Sequence, residues 1–153
     1  MAEISIITFK RHLTKMLIIR VPTQIEHWGI YIKYNDKDHS QFIYHADKQS
    51  ITDYNTKFLY KEWSKDGDLL KKDRANKVDA RELVGYSSYK LTHEEMINIC
   101  TEVSKNRVFN TIINNCQEWV KTVLSELIDK GYLSKSSLDD FISENKITPL
   151  RGW

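Results

Sequence analysis

Apolar residues alternate with polar ones along the first half of the chain and recur at helical spacing along the second. The apolar run MLIIRV at 16–21 predicts a buried strand, and PTQIE after it, holding one of only two prolines, predicts a loop. HWGIYIKY at 27–34 has a period of two. A strand there sets His27, Gly29, Tyr31 and Lys33 on one face and Trp28, Ile30, Ile32 and Tyr34 on the other. The turn-rich NDKDHS at 35–40 leads into QFIYHA, so 27–46 reads as an antiparallel hairpin that brings His27 and His45 into one neighbourhood. From about 47 to 80 the chain is polar, lysine-rich and poorly periodic. This stretch reads as a long excursion with a short helix around FLYKEW and a strand at GDLLKKDR. ELVGYSSYKL at 82–91 alternates well enough for one more strand.

The second half predicts helices. LTHEEMINICTEVSKN opens with Thr92 as N-cap and Glu95 three residues on, a capping box, and repeats apolar groups at Met96, Ile97, Cys100 and Val103. A second helix runs from about 115 to Lys130 on the stripe Trp119, Val120, Val123, Leu124, Leu127 and Ile128, and Gly131 ends it as a C-cap. SKSSLDDFISEN at 134–145 predicts a third, short helix, and the tail is ITPLRGW. Strands followed by helices make an α+β fold, and the absence of repeats or a composition shift makes 1–153 a single domain.

Length and composition change this picture little. A chain of 153 residues can bury a core without staples, and 41% hydrophobic with 29% charged residues is ordinary globular composition. The formal charge of +2 is spread along the chain, which argues against nucleic acid as a partner. There is no run of about 18 apolar residues for a transmembrane segment, and charge breaks MAEISIITFKRHLTKM before a signal-type core can form. These features predict a cytoplasmic protein. Cys100 and Cys116 form no CxxC pair, and no His stands at finger spacing, so neither a zinc knuckle nor a disulfide framework is indicated.

Chemistry enters at NNCQEWV, residues 114–120. A helix N-terminus carries unpaired backbone N–H groups and roughly half a positive charge, which favour a thiolate and can hold an oxyanion. Cys116 in a first helical turn is therefore a candidate nucleophile. It also precedes Trp119 by three residues and so could extend the apolar stripe as a small core residue. A cysteine nucleophile needs a base, and the base needs an orienting partner. His27, opening a strand, is the better base, and His45 on the neighbouring strand is the orienter, with Asp47 or Gln24 as other supports. His12, His39 and His93 fall in a polar segment, a turn and a helix first turn, where an ordinary surface role is expected. HEEM lacks the second His of a zinc protease motif.

The order HWGIYI, then a strand ending FIYHA, then NNCQEWV at a helix start resembles the circularly permuted papain-like proteins of the NlpC superfamily. The likeness is greatest to lecithin retinol acyltransferase-like enzymes, with their HWAIY-type strand and NCEHFV-type helix, and extends to the PPPDE peptidases. The resemblance implies a small antiparallel sheet packed on helices, with Cys116 as nucleophile, His27 as general base and His45 as the third residue. It covers 27–34, 42–46 and 114–120. Gln117-Glu118-Trp119 stands where the acyltransferases have EHF, and ITPLRGW cannot be the membrane anchor many of them carry. The expected activity is cysteine-dependent acyl transfer without a cofactor, most simply hydrolysis of an amide, isopeptide or thioester. Peptide or protein substrates are favoured over lipid. The alternatives are a lipid acyltransferase or phospholipase of the same fold, and a catalytically idle relative that binds peptide or protein.

Overall fold

A computed structural model gives the fold and describes residues 1–11, 27–50, 52–63, 76–88, 90–109 and 116–144. Its elements run β1 (Glu3–Arg11), β2 (His27–Lys33), β3 (Gln41–Lys48), β4 (Thr56–Glu62), β5 (Asn76–Tyr86), α1 (His93–Ser104), α2 (Cys116–Asp129) and α3 (Lys135–Ser143). The five strands form one antiparallel sheet in the order β4-β3-β2-β1-β5. The expected α+β class and the hairpin of β2 and β3 are therefore present.

Both faces of β2 are buried, as its central place in the sheet requires. Trp28, Ile30 and Ile32 face the helices and join Ile4, Ile6 and Tyr44 in the main core. Tyr31 faces the other way, into a smaller cluster with Ile7 and Ile43. The period of two in HWGIYIKY thus sorts the residues as their alternation predicts.

The helices bury the stripes that the sequence offers them. α2 lays Trp119, Val120, Val123, Leu124 and Leu127 against the sheet, chiefly on β2 and β3. The Trp119 indole N–H donates to the Ser104 hydroxyl at 2.9 Å, fixing α2 to the end of α1. On α1 the buried residues are Met96, Ile99 and Cys100, so Ile99 rather than Ile97 completes the stripe. Thr92 caps α1 by accepting from the Glu95 N–H at 3.2 Å. Gly131, at φ 80°, ends α2: its N–H donates to Ile128 C=O and that of Tyr132 to Leu127 C=O. Those two bonds are the paired closure of a Schellman motif, which needs the left-handed conformation glycine adopts most readily.

Three elements differ from the expectation. FLYKEW lies on β4, not on a helix: Phe58 and Tyr60 turn to the helix side and Leu59 and Lys61 away, and pairing with β3 along its whole length makes the strand. β4 and the first residues of β5 also place regular structure inside the 47–80 excursion. The strand expected at 82–91 begins earlier and ends at Tyr86. β1 was not among the predicted elements, although EISIITFKR alternates; its role is to pair with both β2 and β5. The strand expected at 16–21, the loop at 22–26, the strand at GDLLKKDR and the tail ITPLRGW lie outside the described residues.

Candidate active site

β2 and β3 place the two histidines by register. Gly29 is the cross-strand partner of His45, and His27 stands two residues before Gly29 on the same face. His27 Nε2 lies 3.0 Å from His45 Nδ1, and the ring planes are nearly perpendicular at 88°. A Cβ added at Gly29 would stand 3.1 Å from the Tyr44 carbonyl oxygen, 3.3 Å from Ile7 Cγ2 and 3.4 Å from His45 Cβ. Glycine here serves close approach of neighbours.

His27 is buried, at 6% exposure, and His45 is half-buried. A hydrogen bond between two imidazoles needs one nitrogen to donate and the other to accept, so the pair is bonded when at most one ring is charged. An imidazolium at His27 can donate Nε2–H to a neutral His45. That arrangement holds the ring of His27 in place and supports its charge, the function an orienting residue performs for a base. Asp47 accepts from the Lys48 N–H at 2.8 Å. Gln24 and His12 lie outside the described residues.

Cys116 is the first residue of α2 and is 4% exposed. It belongs to the main core cluster together with Trp28 and Ala46, the chain neighbours of His27 and His45. Strand alternation sets His27 and His45 on the face of Tyr31 and Ile43, and α2 covers the opposite face. Cys100 is wholly buried in α1, and desolvation pushes its thiol well above the ordinary range.

Two features near the sheet escaped the sequence reading. Tyr34 and Tyr44 share a buried hydroxyl–hydroxyl bond at 2.6 Å, and the Tyr44 hydroxyl lies 2.6 Å from His93 Nδ1. His93 stacks on Phe42 with centroids 3.7 Å apart, so this helix first-turn residue pins α1 to β3. Desolvation lowers the pKa of His93, with Glu62 pulling in the opposite direction, while burial raises both tyrosines far above the ordinary phenol range. The signal was the His following a Thr N-cap, but nothing in sequence says which strand it meets. Arg107 is also half-buried, its pKa lowered by desolvation against the opposing pull of Glu118 in the first turn of α2.

Among the described residues no group of three or more His, Cys, Asp or Glu is placed to hold a metal ion, and no helix is long and apolar enough to cross a membrane. A protein-family model described as a family of unknown function (DUF6540) matches residues 15–134, a span that includes His27, His45 and Cys116. No curated protein and no solved structure matches the chain.

Proposed function

The chain belongs to the DUF6540 family, and we propose that it is a cysteine-dependent acyl-transfer hydrolase whose nucleophile is Cys116, with His27 as base and His45 as its orienting partner. The observation that carries the reading is the 3.0 Å bond between His27 Nε2 and His45 Nδ1, a base and an orienting partner on neighbouring strands. The position of Cys116 at the start of α2 adds support, since the positive end of a helix dipole favours a thiolate.

The steps follow from these roles. With Nε2 engaged by His45, His27 receives the Cys116 proton on Nδ1, and the Sγ thiolate attacks the carbonyl carbon. The carbonyl electron pair moves to oxygen, and backbone N–H groups in the first turn of α2 hold that oxyanion. Collapse of the tetrahedral intermediate expels the leaving amine, alcohol or thiol, which takes the proton from His27. Water, deprotonated by His27, then attacks the thioester and returns the carboxylate product and the Cys116 thiolate. Every step uses groups of the chain and water. A permuted papain-like arrangement accounts for the order of the three residues, and peptide or protein substrates are favoured over lipid by the departures at Gln117-Glu118-Trp119.

Acyl-directed covalent probes on wild type and Cys116→Ala test the reading. A set spanning ubiquitin-like C-termini, short peptides and lipid esters should label wild type at Cys116 with at least one class and leave the variant unlabelled. Equal, slow labelling of Cys100 and Cys116 would instead favour an idle relative that binds peptide or protein.

A further inference from the structure

We propose that the outer edge of β4 binds an extended acidic peptide as an added strand. Bonds from Gln49 N–H to Asn55 C=O at 2.9 Å and from Trp63 N–H to Gln41 C=O at 2.8 Å fix the parity of the β3–β4 ladder. Lys57, Leu59 and Lys61 therefore turn their backbone groups toward β3, and Thr56, Phe58, Tyr60 and Glu62 turn theirs outward.

The chain itself occupies the start of that outward row. Thr56 N–H donates to Arg107 C=O at 2.9 Å, and Phe109 N–H donates to Tyr54 C=O at 2.6 Å. The Thr56 hydroxyl adds a bond to the same Arg107 carbonyl at 2.8 Å. Asn106, with φ 54°, lies between Arg107 and the α1 C-cap Lys105 and bends the chain away from the edge. Beyond Thr56 the outward groups of Phe58, Tyr60 and Glu62 continue the row, and among the described residues no backbone partner takes them. The edge thus takes an isolated antiparallel bridge, Asn55 with Val108, at one end and offers the same row of groups at the other.

Side chains define the occupant. Cross-strand partners share a face, so Lys57, Leu59 and Lys61 stand with Asp47, His45 and Ile43. Both lysines are exposed, one on each side of Leu59. On the other face Phe58 is half-buried and Tyr60 is 51% exposed, an aromatic surface. A peptide alternating acidic and apolar residues matches both faces. The lysines also discourage pairing with a second copy of β4, which would bring like charges together; an acidic strand is the one they attract. As a docking surface the edge stands by itself. As a substrate surface it rests on the thiol reading above, because Leu59 is the cross-strand partner of His45.

The test uses the full chain carrying Cys116→Ala, so that binding is read without turnover. In the free protein the amides of Lys57, Leu59 and Lys61 should be protected from hydrogen exchange, and those of Phe58, Tyr60 and Glu62 should exchange fast. A Glu–Val alternating peptide of the length of β4 should protect the second set. N-methylation of alternate residues on the peptide's bonding edge should weaken binding by about tenfold or more, since several backbone bonds are lost. Lys57→Glu with Lys61→Glu should switch the preference to a Lys–Val peptide. Protection of Phe58, Tyr60 and Glu62 in the free protein, no binding of the Glu–Val peptide, or equal binding of the N-methylated one overturns the proposal. Labelling of Cys116 in wild type alongside failed peptide binding removes this inference and leaves the thiol reading; the reverse pattern does the opposite.

Discussion

At the scale of single residues the site rests on two imidazoles and on Gly29, the cross-strand partner of one of them. His27→Gln should lower acyl-transfer activity by about 10²- to 10⁴-fold, the usual range for a general acid–base group. The expected loss for His45→Gln is smaller and accompanied by a shifted pH–rate profile, because the base remains but its ring is no longer held. Gly29→Ala should destabilise by about 1–3 kcal/mol in chemical denaturation, as an added Cβ presses on the Tyr44 carbonyl and on Ile7. These residues were legible in sequence because a period of two and a short turn suffice to bring His27 near His45. The Tyr34–Tyr44–His93 chain was not legible, since it joins β3 to a helix about fifty residues later and no local pattern encodes that contact.

At the scale of elements, periodicity read the helices well and the strands unevenly. α2 announced itself through a full apolar stripe and a glycine stop, and its stability should depend on both. Trp119→Ala is expected to cost about 3–5 kcal/mol, since a wholly buried ring that stacks on Phe58 and bonds Ser104 is removed. Gly131→Ala should cost about 1 kcal/mol through its positive φ, read from the same denaturation curves. β4 was misread because Phe58, Leu59 and Tyr60 are consecutive apolar residues, which show no clean alternation; partly buried positions on both sides of an edge strand produce that pattern. Pairing with β3, a non-local interaction, decided the outcome.

At the scale of the whole molecule, the contact between α1 and the sheet makes stability depend on pH. His93 has a pKa below its ordinary value because desolvation disfavours the imidazolium, Glu62 opposing in part. The folded state therefore binds that proton less readily than the unfolded chain does. Its contribution is complete above the ordinary histidine range and is lost as pH falls through that range toward the lower folded value. Unfolding midpoints measured across mildly acidic pH should fall less steeply in His93→Gln than in wild type. The three elements that carry the candidate residues, β2, β3 and α2, pack directly on one another. The class of fold was readable from strands preceding helices, whereas the five-strand order depended on β1, whose pairing with β5 spans about half of the chain.

The central claim is that Cys116 is a thiolate nucleophile served by His27. Its most direct test is the rate of iodoacetamide alkylation at Cys116, followed by peptide mass across pH in wild type and His27→Gln, with buried Cys100 as internal reference. Fast alkylation of wild-type Cys116 at mildly acidic pH, lost in His27→Gln while Cys100 stays unmodified, is the predicted result. A Cys116 rate that is unchanged by removing His27, or as slow as that of Cys100, contradicts the account.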